Sequence, residues 1–295
     1  MTTPAVIVVG DLVTDVLVAH TGPIHPGSDT EAAITVTGGG QAANTAAWLA
    51  HSNHPVTLIA SVGDDPAGHE RIAELKAAGV HCAVQIHPHA KTGSVVVLSA
   101  PHDRTMITDR GAALLLDSAH VTAAIQAAAA THLHLSGYPL LHAGSRPAAL
   151  TALSTATAHG LTTSVDAASA APLRQTGADE FLAWIRDADL LLCNADEADV
   201  LAGPGTPLEQ ARRLTAHVRN AVVKQGPAGA TWAAQNGPTC SWAAPRVPVV
   251  DATGAGDAFA AGLLKAWSSG AKPEPALAAA CALGAQAVKA LGARP

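Results

Sequence analysis

The residues best suited to chemistry stand in one short stretch, 251–262, Asp-Ala-Thr-Gly-Ala-Gly-Asp-Ala-Phe-Ala-Ala-Gly. The apolar run Val247-Pro248-Val249-Val250 leads into it, and an Ala-rich helical pattern over about 255–268 leads out. Gly254 and Gly256 leave little side chain in front of the first helical turn, whose free backbone N–H groups carry partial positive charge. The turn is therefore an anion site that needs no basic side chain. Asp257 enters the same turn as a carboxylate. An anion beside an anion site is useful only if the two act on different groups. A phosphoryl transfer has that form: the amides hold the transferring phosphate and the carboxylate takes the proton of the attacking hydroxyl. The plainer alternative is a glycine-containing loop before a helix, with Asp257 favouring its positive end. A dinucleotide fingerprint is excluded because Gly262 comes too late, and a P-loop because no Gly-Lys-Ser/Thr triplet occurs.

The surrounding pattern predicts a scaffold able to hold such a turn. Residues 6–9 form an apolar run ended by Gly10, the signature of a central parallel strand. Asp11 and Asp15 follow at its C-terminal end, the edge where open α/β sheets bind ligands. Short extended segments at 16–18 and 32–36 then interrupt the βα order and predict an excursion from the sheet. Gly38-Gly39-Gly40-Gln41 opens a helix over about 41–52, with Asn44 one turn in. A strand over 56–61 and a helix capped by Gly63-Asp64-Asp65-Pro66 follow. Extended pieces at 80–86, 94–99 and 104–111 are expected to join the early excursion in a small second sheet. From about 118 the chain alternates regularly. Helices over 119–130, 145–159, 179–186 and 207–219 precede strands at 132–135, 162–165, 190–193 and 221–224, which predicts a parallel sheet. Residues 230–244 look antiparallel, and 274–291 reads as a terminal helix.

Composition sets the outer bounds. The chain has 295 residues, 48% hydrophobic and 14% charged, with 3% aromatics, so a sizeable core packed by Ala, Val and Leu is expected. A formal charge of −6 argues against a nucleic-acid partner. Cys82, Cys193, Cys240 and Cys281 are widely spaced, with no zinc pattern, and Cys193 reads as a buried thiol in a reducing cytoplasm. No apolar run reaches membrane-spanning length. His132 and His134 share one strand face, as do His87 and His89, but neither pair has a third metal ligand.

Three separated patterns resemble one family. Gly38-Gly39-Gly40-Gln41-Ala42-Ala43-Asn44 resembles the N-terminal signature of the ribokinase/PfkB carbohydrate kinases, Asp251 to Phe259 resembles their C-terminal signature, and Asn194-Ala195-Asp196-Glu197 resembles their Asn-x-x-Glu motif. Their order and spacing match over nearly the whole chain. The resemblance implies a doubly wound α/β domain, mainly parallel, over 1–295, with a small β lid inserted at about 12–37 and 91–112. It implies ATP- and Mg²⁺-dependent phosphorylation of a primary hydroxyl on a small sugar or sugar acid. A nucleoside kinase on the same scaffold, or a catalytically silent sugar- or nucleotide-binding sensor, are the alternatives.

The resemblance also assigns residues. Asp257 is the base, and the amides of Gly254, Ala255 and Gly256 form the anion hole. Asp15, Asp11, Gly39, Gly40, Gln41 and Asn44 line the sugar; an ionised carboxylate such as Asp15 can grip two adjacent hydroxyls. Asn194, Lys224, Gly226 and Gly229 lie on the nucleotide side. Glu197 organises Mg²⁺ through water, and Asp251 and Thr253 occupy positions that bind K⁺ in some relatives. Cys281 falls where several relatives place an Asn beside the adenine. Arg104 and Arg110 lie in the expected lid and would favour an acidic substrate if either reached inward. Exposed lid edges suggest a homodimer.

Overall fold

The computed structural model describes residues 5–100 and 103–295, the side chains of 100, 103 and 104 excepted. In chain order its elements are β1 (Ala5–Val9), β2 (Val13–Ala19), β3 (Ala33–Gly39), α1 (Gln41–His51), β4 (Val56–Gly63), α2 (Pro66–Ala77), β5 (His81–His87), β6 (Thr92–Ala100), β7 (Asp103–Gly111), α3 (Ser118–Ala127), β8 (Ala130–Ser136), α4 (Tyr138–Leu141), α5 (Arg146–Ala158), β9 (Thr162–Asp166), α6 (Ala170–Thr176), α7 (Ala178–Trp184), β10 (Leu190–Asn194), α8 (Ala195–Ala202), α9 (Pro207–Leu214), β11 (Asn220–Lys224), β12 (Ala230–Ala234), β13 (Thr239–Trp242), α10 (Ala255–Ser268) and α11 (Pro273–Ala287).

Nine strands form one sheet in the order β13-β12-β11-β10-β9-β8-β1-β4-β5, parallel except at the β11-β12-β13 edge. From β1 the chain winds one way through β4 to β5, then returns to the other side of β1 and winds outward from β8. The strand order therefore reverses beside β1, where a crevice opens at the C-terminal strand ends. This is the doubly wound, mainly parallel sheet the sequence implies. Helices cover both faces. Apolar residues of α3 to α9 pack on one, and α1, α2, α10 and α11 pack on the other.

That second face is divided. Val6, Val8 and Leu58 pack under α1 and α10, and Leu190, Leu192, Val222 and Trp232 pack under α10 and α11. Between the two clusters β8 and β9 present His132, His134, Ser136, Thr162, Ser164 and Asp166. A polar seam thus runs along the sheet toward the crevice.

A four-stranded sheet, ordered β3-β2-β6-β7, stands apart. Val13, Val95 and Val97 are buried on its inner face, and the strand period places Asp15 on that same face. The segment 80–86 does not join it. β5 pairs parallel with β4, from Thr57↔His81 to Gly63↔His87, with α2 as the crossover. As an edge strand carrying His81, Gln85 and His87, β5 lacks the apolar run that marks a central strand. The last helix also stops short of the expected 291, and residues 288–294 turn back across the domain.

Candidate active site

Asp257 lies in the first turn of α10, after Gly254 in the left-handed region (φ 75). Glycine is required at 254 for a second reason: a Cβ there would strike the backbone of Ala293. A Cβ built on Gly256 would meet only Lys224 Nζ, at 3.6 Å. The space in front of Gly256 at the helix start is therefore open and bounded by an ammonium group, a sound seat for an anion, although the Ala255 N–H itself turns back to Ala252 O at 3.3 Å.

The Asp257 carboxylate accepts a hydrogen bond from Asn44 Nδ2 at 2.9 Å. This joins two signatures 213 residues apart in sequence. Burial raises the Asp257 pKa to about 8, with Asp166 and Asp11 adding to the rise, while the Asn44 hydrogen bond and Lys224 oppose it. Such a value suits a group that must take up a proton near neutral pH.

The edge of β1 supplies the next layer. Asp11 is buried; its Oδ1 accepts from Ala42 N (3.3 Å) at the start of α1 and its Oδ2 from Arg110 Nη1 (3.0 Å). The Arg110 guanidinium also stacks 3.8 Å above the Tyr138 ring. Arg110 therefore spends its charge on Asp11. The side chain of Arg104 lies outside the described residues. Asp15 is buried facing Gly39, where a Cβ would collide with its carboxylate. At Gly40 (φ 101) a Cβ would press on Asp11 O. Two glycines are thus needed where α1 meets the crevice, because carboxylate and backbone already fill the space. Gln41 bridges strand ends, accepting from Ser136 Oγ at 2.6 Å and donating to Asp166 Oδ1 at 3.0 Å.

Asp166 ends β9, and sequence reasoning missed it. Its Oδ2 accepts from Lys224 Nζ at 2.6 Å, across β10. Burial works against the Lys224 ammonium, but Asp166 and Glu197 outweigh it and push its pKa up. Lys224 therefore joins the acidic centre and the anion hole. Gly226 (φ 55) and Gly229 (φ 101) lie beyond it, and a Cβ on Gly229 would strike Trp242 O.

Asn194 and Glu197 form a reciprocal capping box at α8. Glu197 Oε2 accepts from Asn194 N (2.8 Å), Oε1 from Asn194 Nδ2 (2.7 Å), and Asn194 Oδ1 from Glu197 N (2.9 Å). Burial raises the Glu197 pKa to about 7, Lys224 opposing and Asp166 assisting. Each Glu197 oxygen retains a lone pair for a hydrated cation. Among the described residues no three His, Cys, Asp or Glu form a metal cage. A Mg²⁺ ion that keeps its water and binds through phosphates needs none, so this donor set fits it. Asp251 accepts from Thr253 N and Oγ1 at 2.9 and 2.7 Å and from Gly292 N at 3.0 Å, fastening the loop before α10 to the segment after α11. His132 and His134 bind serine and threonine hydroxyls inside the sheet, outside this crevice. Cys281 is buried in α11, and burial raises its thiol to about 11.

Arg294 was also missed. Its guanidinium reaches Asn44, Gly39 and Glu74. The terminal-helix pattern gave no hint that the chain leaves α11 and returns to the crevice.

The pfkB family carbohydrate kinase model matches residues 3–295. An ATP-dependent ribose-1-phosphate kinase of Halopiger xanaduensis is 32% identical over 289 residues, covering 91% of this chain and 87% of that protein. A ribokinase of Schizosaccharomyces pombe is 28% identical over 269 residues, covering 86% and 82%. The structure of Arabidopsis thaliana ribokinase with ribose and ATP superposes with a TM-score of 0.80 at 24% identity, covering 99% of this chain and 95% of that one. With both signatures converging on one crevice and the family pattern running end to end, the chain belongs to the pfkB family of carbohydrate kinases.

Proposed function

We propose that the protein transfers the γ-phosphoryl group of ATP to a primary hydroxyl of a small sugar. The observation that carries this reading is the Asn44–Asp257 hydrogen bond at the N-terminus of α10, which sets a proton acceptor beside an anion hole. Asp257 takes the proton as the sugar oxygen forms its bond to phosphorus and the bond to ADP breaks. The N–H groups of Gly254, Ala255 and Gly256 and the Lys224 ammonium hold the charge on the transferring oxygens. Asp15, Asn44 and the backbone at Gly39 and Gly40 grip the other hydroxyls, with Asp11 and Gln41 behind them. Asn194, Gly226 and Gly229 border the nucleotide. When bound, Mg²⁺ neutralises the phosphates; Glu197 would hold it through water. A K⁺ ion at Asp251 and Thr253 would stiffen the loop before α10.

The four-stranded sheet serves as a lid. Its outer face carries Val36, Val16, Val96 and Ile107 in one row, and Val36 and Ile107 are 60% and 58% exposed. That row supports a homodimer through the lids.

The test is ADP release with Mg²⁺, with and without K⁺, over ribose, ribose-1-phosphate, hexoses, 2-keto-3-deoxy acids and nucleosides. A sugar-dependent rate is expected. A rate seen only with nucleosides would overturn the acceptor assignment, and specific sugar or nucleotide binding without ADP release would establish a silent sensor.

A further inference from the structure

Arg294 donates two hydrogen bonds at the crevice, Nε to Asn44 Oδ1 at 3.0 Å and Nη2 to Gly39 O at 2.9 Å, and a third outside it, Nη1 to Glu74 Oε2 of α2 at 3.4 Å. Its seat is specific. A Cβ on Gly38 would collide with the guanidinium. The preceding residues are anchored by Trp48 Nε1 donating to Ala293 O (2.9 Å) and Gly292 N donating to Asp251 Oδ2 (3.0 Å). The segment after α11 thus wedges between α1, which carries Asn44, and the start of α10, which carries Asp257. The Arg294 side chain is only 14% exposed. Burial lowers its pKa to about 10, with Glu74, Asp15 and Asp257 opposing the fall. A cation is held here against its desolvation cost.

The chemistry of Asn44 explains what the cation does. A carboxamide has two ends of nearly equal size and opposite hydrogen-bonding sense. Arginine can only donate, so Oδ1 must face it. The NH₂ group is then committed to Asp257, 2.9 Å away. Without the guanidinium, rotation by half a turn would bring the carbonyl oxygen against Asp257, where it can accept from the protonated carboxyl but offers no donor to the ionised base.

We infer that Arg294 is a positioning residue for the phosphoryl transfer, fixing the Asn44 amide so that it donates to Asp257. The inference rests on the reading of Asp257 as the base. Asp257 is also faced by Asp11 after β1, Tyr138 of α4, Asp166 of β9 and Lys224 of β11. None of these can set the Asn44 amide, because its Oδ1 already belongs to Arg294 and its Nδ2 to Asp257.

The experiment compares Arg294→Ala, Arg294→Lys, Asn44→Ala, the Arg294→Ala/Asn44→Ala double variant and Asp257→Asn in the full chain. It measures kcat, both KM values, the pH profile of kcat and thermal stability. Loss of a charged hydrogen-bond partner should lower kcat of Arg294→Ala by roughly 10- to 100-fold and leave the KM for ATP unchanged. The acid limb of the profile should move to higher pH, because Asp257 loses both an oriented donor and a nearby cation. Lysine, also a donor-only cation, should restore part of the rate, and the double variant should lose no more than Asn44→Ala. Native kcat in Arg294→Ala with Asp257→Asn inactive would overturn the inference alone, as would multiplying losses in the double variant. A fully active Asp257→Asn would overturn the base reading and this inference together. If Arg294→Ala does not fold, the lysine variant, alone and with Asn44→Ala, carries the same test.

Discussion

Asp257→Asn keeps the shape of the side chain and removes its capacity to take up a proton. The structure sets the size of the native pH effect. Burial, with Asp166 and Asp11 adding to it, holds the carboxyl at about 8 against the pull of Asn44 and Lys224. The charged form is the working base, so native kcat/KM should rise with pH. About a hundredth of the free enzyme is ionised at about pH 6, about a tenth at about pH 7 and about half at about pH 8. Ionising the base at about pH 7 costs about 1.4 kcal/mol. A positioned base contributes about 10²–10⁴ in rate, roughly 3–5 kcal/mol, so the net effect remains strongly favourable.

The assay is ADP release under kcat/KM conditions with an accepted sugar, since that ratio reports the free enzyme. The native profile should climb about tenfold per pH unit at the acid end and level off above about 8. Asp257→Asn should fall by about 10²–10⁴ and lose this limb, while calorimetry finds sugar affinity nearly intact. A flat native profile across that range, or an asparagine variant that retains the limb, would refute the reasoning.

Three further outcomes follow from the same contacts. His132 and His134 are pushed down to about 3 and about 4, first by burial, from 6.5. Lowered pKa values give stability that is complete above 6.5 and lost as pH falls toward those values, so scanning calorimetry should show a loss of about 2 kcal/mol per histidine by about pH 5. Gly39→Ala places a methyl group against the Asp15 carboxylate; overpacking of about 1–3 kcal/mol should appear as weaker sugar binding with the KM for ATP unchanged. Lys224→Met leaves Asp166 buried without its cation; a cost of about 3–5 kcal/mol in denaturant unfolding is expected, and an unchanged midpoint would count against the pair.

The legible part of this protein was its periodic part. The glycines at 39, 40 and 254, the strand-end acid Asp11 and the alternation after 118 each report a local constraint of turn, edge or helix face, whereas Asp15, read as a strand-end acid, lies within β2 on the inner face of the small sheet. Asp257 was readable because a carboxylate in an anion-binding turn is chemically odd. Asp166 was not, because Ser164-Val165-Asp166 resembles any strand end, and its role depends on β9 lying two strands from Lys224. β5 was misplaced because an edge strand can carry histidines on a half-exposed face. Arg294 was invisible because the Ala-rich pattern of α11 shows no stop, and the fold that carries residues 288–294 to Asn44 depends on contacts with Trp48 and Asp251 far away in sequence.

The polar seam between the two apolar clusters shows how far the crevice imposes on the core. A neutral imidazole offers one donor and one acceptor, and the seam fits that arithmetic in one direction. Thr162 Oγ1 donates to Thr131 O at 3.3 Å, so it accepts from His132 Nδ1 at 2.8 Å. His132 Nε2 must then accept from Ser164 Oγ at 2.7 Å, and Ser164 Oγ in turn accepts from His134 Nδ1 at 2.8 Å. Within this chain of hydrogen bonds His134 Nε2, on the histidine nearer Asp166 along the strands, has no partner. A proton added to His132 would set two donors against one another and break the chain, which reinforces the effect of burial. Apolar residues at these positions would merge the two clusters into one core. The seam instead keeps polar groups along β8 and β9 up to Ser136 and Asp166, where Gln41 and Lys224 take over, so the acids of the crevice rest on hydrogen-bonded side chains rather than on hydrocarbon.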